Sequence, residues 1–254
     1  MVDVGMIWIR RFIAPMPTSL LTRPLTLALT LALTLALTLL AACGDVIPPA
    51  SEKARILAMG DSLLAWNRLS GQSIPDVVEQ SLEEPVVDRS VIAARMIYRL
   101  PVSGAAGLSI PKQYRPGPWD WVILNGGGND LWFGCGCGRC TDKLDKLLSE
   151  DGTRGAIAGV VQRIRADGAR VVFVGYLRSP GRSSPIEPCK DEGDALDARV
   201  AAMAAGDEGV YFLSLADLVP HRDLSFHAAD RVHPSFKAGR VIGQRIAAII
   251  RGAP

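Results

Sequence analysis

Three short clusters in this sequence hold residues that could do chemistry together. Gly60-Asp61-Ser62-Leu63 offers a hydroxyl. A helical turn following it would aim N–H groups at negative charge developing near the serine. Gly127-Gly128-Asn129-Asp130 offers a neutral amide donor able to hold an oxyanion, beside glycines that let backbone approach a bound group closely. Asp230-Arg231-Val232-His233 puts a carboxylate three residues before an imidazole, an offset that can bring both to one side of a turn. A carboxylate bonded to one ring nitrogen fixes the tautomer and leaves the other nitrogen as a base. Each cluster alone has an ordinary reading too. Ser62 can be a helix N-cap and Asp61 a turn residue, Asn129 can be the left-handed residue of a Gly-rich turn, and a lone histidine is more often structural.

The elements that would position these clusters alternate along the chain. Apolar runs at Arg55–Gly60, Pro85–Val91, Trp119–Asn125, Ala169–Tyr176 and Gly209–Leu215 read as strands. Helical patterns lie at Ile74–Leu82 (with Ser73 as N-cap and Pro75 in the first turn), Gly155–Asp167, Ala195–Ala205 and Pro234–Arg251. The strands are nearly continuously apolar, which suits strands covered on both faces. The expected fold is therefore a doubly wound α/β domain of about five parallel strands. Ligands bind at the carboxyl ends of strands in such sheets, and all three clusters fall at predicted strand-to-loop ends.

The first forty-odd residues read as a targeting signal. Arg10, Arg11 and Arg23 precede an uncharged Leu/Ala/Thr run from Leu25 to Ala42, built on an LALT tetrapeptide. Leu40-Ala41-Ala42-Cys43 looks like a bacterial lipobox, in which cleavage precedes Cys43 and that cysteine is lipidated. Residues 1–42 are then a lipoprotein signal peptide and 43–53 a Pro-Pro-containing tether. Residues 54–254 form one domain, large enough for a sizeable core. The domain is expected outside the cytoplasmic membrane, anchored to the bacterial cell envelope through Cys43.

The chain has five cysteines. Setting Cys43 aside leaves Cys135, Cys137, Cys140 and Cys189, an even set that favours two disulfides in an oxidising compartment. A Cys135–Cys137 bond would close a strained ring, so one of these two is expected to pair with Cys140 and the other with Cys189. Spacing does not choose between those pairings. The formal net charge is only +2 and no Lys/Arg-rich run stands out, which leaves nucleic-acid binding unsupported. Arg163, Arg165 and Arg170 read as a solvated helix face.

Together and in this order, the three clusters resemble those of the SGNH (GDSL-type) hydrolases, and the resemblance spans about Arg55 to Arg251. It implies a flavodoxin-like three-layer α/β/α sandwich and hydrolysis of esters or thioesters. No cofactor or metal is implied. Ser62 would be the nucleophile, His233 the general base and later acid, and Asp230 its orienting partner. The oxyanion hole would use the Ser62 N–H, the Asn129 side-chain amide and a backbone N–H at a position usually held by Gly. Ala93 best matches that position. Alanine is not expected to take a positive φ, so if the family geometry needs one, the loop must shift and one donor weakens. His221 and His227 are expected on the surface or in a substrate loop. Trp132 and Phe133 are expected either to line an acyl pocket or to pack a loop. The Gly-x-Ser-x-Gly elbow of α/β-hydrolases is absent.

The leading expectation is an envelope ester hydrolase acting on a small-molecule, lipid or glycan ester, with oligomeric state open. One alternative keeps the triad but serves as an O-acyltransferase or deacetylase on an envelope glycan. Another is a non-catalytic lipoprotein whose cysteines form a zinc or thiol-redox site, for which Cys137-Gly138-Arg139-Cys140 supplies a CxxC.

Overall fold

The computed structural model describes residues 54–181 and 183–253. The expected signal peptide, the expected lipidation at Cys43 and the expected tether lie outside the described residues.

Five strands form one parallel sheet: β1 (Ile56–Met59), β2 (Val86–Asp88), β3 (Trp121–Leu124), β4 (Arg170–Val174) and β5 (Val210–Leu213). Their order across the sheet is β2-β1-β3-β4-β5. Register runs Ile56 against Val86 and Trp121, Trp121 against Arg170, and Val171 against Val210. The continuously apolar runs are explained by what covers the sheet. Leu57, Met59, Val122, Leu124, Val171 and Phe173 face one layer of helices, while Ile56, Ala58, Trp121, Ile123, Val172 and Val174 face the other. Alternate side chains of one strand thus enter two separate cores.

The main helices are α1 (Ser62–Ala65), α2 (Ile74–Leu82), α3 (Gly128–Cys135), α4 (Thr141–Leu147), α5 (Ala156–Ala166), α6 (Lys190–Ala205) and α7 (Phe236–Gly252), with further short helical turns between them. Ser73 caps α2 in a full capping box with Asp76, and Pro75 lies in its first turn. The closing helix starts later than the sequence suggests: Ser235 is its N-cap, accepting from the Ala238 N–H, and Pro234 lies outside it. Two helices were not legible. α3 begins inside the Gly-rich cluster, whose glycines argue for a turn, and α4 follows directly after the closely spaced cysteines. Arg170 belongs to β4 rather than a helix face, and its guanidinium lies 4.2 Å from the centroid of the Trp121 ring.

The order 2-1-3-4-5 has its topological switch between β1 and β3, where the chain turns away to opposite sides of the sheet. Ser62 follows β1 and Asn129 follows β3, so the fold itself opens a crevice between them.

Candidate active site

At the end of β1, Gly60 passes so close to β3 that a Cβ there would sit 2.8 Å from the Asn125 carbonyl oxygen. Buried Gln113 pins the same residue from both sides: its amide donates to the Gly60 carbonyl, 2.9 Å, and its oxygen accepts from the Gly60 N–H, 2.7 Å. The chain then enters α1 with Asp61 as N-cap, accepting from the Leu63 N–H at 2.9 Å. Ser62 is the first helical residue, so its N–H has no partner within the helix.

The histidine arrives on a turn built by the aspartate that also binds it. Asp230 Oδ1 accepts from the Val232 and His233 N–H groups, both at 3.0 Å, and Oδ2 meets His233 Nδ1 at 2.6 Å. Arg231 takes a left-handed conformation (φ 60) inside this turn. The turn is fastened to the 226–228 segment by the Ala228 N–H donating to the His233 carbonyl and the Ser235 N–H to the Phe226 carbonyl. His233 Nε2 lies 2.9 Å from Ser62 Oγ. Ser62, His233 and Asp230 therefore form one continuous hydrogen-bonded chain, joining residues 171 apart in sequence. Burial pushes the Asp230 carboxyl up, but bonds from the His233 ring and the two N–H groups outweigh it and hold its pKa below the usual range.

Asn129, in the first turn of α3, is buried and donates through Nδ2 to the Ala94 carbonyl at 3.0 Å. An amide nitrogen carries two hydrogens, so one can serve the anchor and the other a ligand. Asp130 beside it accepts from the Met96 and Ile97 N–H groups at 2.9 and 2.8 Å. The two residues tie the loop after β2 to α3. In that loop Ala93 itself adopts φ 64. The expectation that alanine would not take a positive φ is wrong: the left-handed conformation is adopted with alanine in place. A left-handed non-glycine residue costs about 1–2 kcal/mol, and the four anchoring bonds to Asn129, Asp130 and Val91 around it hold the strain in place.

Sequence reasoning missed two supporting residues. Tyr176, just past β4, donates its hydroxyl to Asp61 Oδ2 at 2.5 Å. Its ring covers Gly128, where a Cβ would meet the tyrosine at 2.7 Å. One tyrosine thereby braces the Ser62 turn against the start of α3. Burial, with the Asp61 charge adding to it, drives the Tyr176 hydroxyl well above its ordinary pKa, so it stays a donor. Burial likewise raises Asp61 to about 6. The second is Trp66, whose ring stacks on the His233 imidazole at 3.8 Å between centroids and 6° between planes. Neither contact leaves a motif in the sequence, because both join segments distant along the chain.

The cysteines form Cys135–Cys140 and Cys137–Cys189. This chooses one of the two pairings left open. Cys137 and Cys189 reach the wall of a pocket of about 110 Å³ that opens beside Ser62, His233 and Asn129. Its apolar lining includes Leu63, Leu131, Trp132, Ile186 and Leu196. The bonded sulfurs offer no thiolate to a metal, and Cys137 and Cys140, the two ends of the CxxC, are bonded to different partners rather than to each other, so the expected redox pair does not form. Trp132 lines the pocket, whereas Phe133 is half exposed beneath the Arg95 guanidinium. His221 is exposed as expected. His227 is not: it is buried, with no hydrogen-bond partner on either ring nitrogen among the described residues, and burial lowers its pKa. Such a ring is packed neutral, and the apolar Phe226 beside it is buried with it.

A five-stranded α/β/α sandwich of order 2-1-3-4-5, with this relay at its switch point, defines the SGNH class of hydrolase. The chain belongs to the GDSL-like Lipase/Acylhydrolase family, whose model matches residues 58–240, and it is an enzyme that acts on ester bonds. Solved structures agree on the fold. The inhibitor-bound aryl esterase of M. smegmatis is 18% identical, with 79% of this chain and 100% of that chain covered and a TM-score of 0.58. Est24, a carbohydrate acetylesterase from Sinorhizobium meliloti, is 18% identical over 78% of this chain and 99% of its own, with a TM-score of 0.56. TesA is 19% identical over 78% and 99%, with a TM-score of 0.55. No curated protein matches the chain in sequence.

Proposed function

We propose that the protein hydrolyses a small carboxylic ester with an uncharged acyl group, through an acyl-enzyme on Ser62, in the bacterial cell envelope. The observation that carries this reading is the unbroken Asp230–His233–Ser62 chain at the mouth of an apolar pocket. His233 Nε2 takes the Ser62 proton as Oγ attacks the ester carbonyl, and Asp230 holds the ring and stabilises the imidazolium that forms. Negative charge moves to the carbonyl oxygen, where the Ser62 and Ala93 N–H groups and the second Asn129 amide hydrogen are the donors; each such donor is worth roughly 10²–10³ in rate. The tetrahedral adduct collapses as His233 returns its proton to the leaving alkoxide. Water, deprotonated by the same imidazole, then attacks the acyl-enzyme, and His233 returns that proton to Ser62 Oγ as the acid leaves.

The pocket's cations support an uncharged acyl group. Arg178 is paired with Asp194 and Asp197, both at 2.8 Å, and Lys190 with Asp194 at 2.6 Å. A substrate carboxylate would have to displace these partners. The lipobox at Cys43 and the two disulfides support an envelope location.

The test is labelling with a fluorophosphonate probe. Wild-type protein should label stoichiometrically and Ser62→Ala not at all, and hydrolysis of short-chain esters should fall with the labelling. Absence of labelling where control hydrolases label would overturn the proposal.

A further inference from the structure

We infer that Trp66 is a positioning residue for the reaction, holding the His233 ring in plane and stabilising its charged form through the face of the indole; this rests on the proposed role of His233. Both ring nitrogens of His233 are committed, Nδ1 to Asp230 and Nε2 to Ser62, and these bonds restrain the imidazole only along its edge. Trp66 restrains the face. The planes are 6° from parallel and the centroids 3.8 Å apart, well within the roughly 6 Å over which an aromatic face attracts a cation.

The placement is built in at several points. Trp66 is the C-cap of α1, and its N–H donates to the carbonyl of Ser62, four residues earlier. The nucleophile and the indole therefore move as one unit. Asn67, in the left-handed region (φ 67), donates from its side chain to the Pro234 carbonyl at 3.2 Å, next to the histidine. His233 and Pro234 line the pocket, and the indole stacks directly against the imidazole.

The stack favours the reacting state. Two neutral aromatic rings gain little from face-to-face contact, because their quadrupoles oppose one another. Once His233 holds the serine proton, its positive charge faces the negative face of the indole. The attraction is thus largely absent in the resting enzyme and present while the tetrahedral adduct exists, which is the condition for lowering a barrier. Attraction of this type, converted at a tenfold change per 1.36 kcal/mol, corresponds to about 2- to 30-fold in rate.

The test separates charge from shape. Tryptophan analogues carrying one to four ring fluorines, inserted at position 66 alone, keep the ring's outline but progressively empty its face of negative potential. The expected result is a stepwise fall in kcat with added fluorine, to a total of about 2- to 30-fold, with KM nearly unchanged. Trp66→Phe should retain part of the rate and Trp66→Leu fall to or below the most fluorinated analogue. A kcat independent of fluorination, or Leu performing as well as Phe, would overturn the inference. If Ser62 in wild-type protein fails to label with the fluorophosphonate, the hydrolase mechanism falls and this inference with it. Normal wild-type labelling with a flat fluorination series removes this inference alone.

Discussion

Asp61 is fully buried beside the nucleophile, and its carboxyl is raised from 3.8 to about 6, chiefly by burial and against the hydrogen bonds from Tyr176 and the Leu63 N–H. A shift of this size is a statement about stability. Below about pH 4 the group is protonated in folded and unfolded chains alike and contributes nothing. Between about pH 4 and pH 6 the folded chain keeps a proton that the unfolded chain has released, so stability falls as pH rises. Above pH 6 both states are ionised, and the whole penalty stands. At 1.36 kcal/mol per unit the rise amounts to about 3 kcal/mol at pH 7. Asp61→Asn keeps the shape, an oxygen for the Leu63 N–H and good N-cap chemistry, but cannot ionise. Urea unfolding of wild type and variant at half-unit steps from pH 4 to pH 7 isolates the effect, since titrating groups that do not interact with Asp61 cancel in the difference. The expected difference grows in the variant's favour by about 3 kcal/mol across that range and levels off above pH 6. Parallel stability curves, with a constant offset between wild type and variant, would refute the reasoning and place Asp61 in an environment that solvates its charge.

Other perturbations test other parts of the site. Asp230→Asn leaves a partner for His233 but favours the wrong tautomer, so kcat for ester hydrolysis should fall by roughly 10⁴ with little change in KM. Ala93→Gly relieves about 1–2 kcal/mol of left-handed strain and gives back about 0.5–1 kcal/mol in unfolded-state entropy, so thermal or urea unfolding should show no loss and a net gain of up to about 1.5 kcal/mol. Of the disulfides, Cys137–Cys189 closes a loop of 52 residues and Cys135–Cys140 one of 5. Chain-entropy estimates give about 4 and about 2 kcal/mol respectively, so the Cys137→Ser/Cys189→Ser double variant should be clearly the less stable in urea unfolding.

Much of the fold was legible because it depends on local periodicity. Continuous apolar runs such as Trp119–Asn125 and Ala169–Tyr176 named the strands, and Ser73 with Pro75 marked the start of α2 within a residue. Gly60-Asp61-Ser62, Asn129 and Asp230-Arg231-Val232-His233 announced themselves because their chemistry and short spacing are written in adjacent residues. The helix α3 was hidden because glycines, Gly127 as N-cap and Gly128 as first residue, open it. A helix so begun is favoured not by propensity but by its packing under Tyr176 and by the Cys135–Cys140 bond at its last residue.

Tertiary structure alone decided the rest. The sequence determined which residue types could form the relay, the parity of the cysteines and the sheet's buried character. It could not show that the strand order 2-1-3-4-5 brings Ser62 within 2.9 Å of a histidine 171 residues away. Nor could it choose between the two pairings of Cys135 and Cys137, place His227 in the interior, or lay Trp66 on the imidazole. It also gave the wrong answer for Ala93, because intrinsic preference disfavours a left-handed alanine by only about 1–2 kcal/mol. The anchors from Asn129 and Asp130 are enough to override that preference. Local sequence sets such preferences at about a kilocalorie apiece, and contacts between distant segments, several acting at once, decide which of them survive.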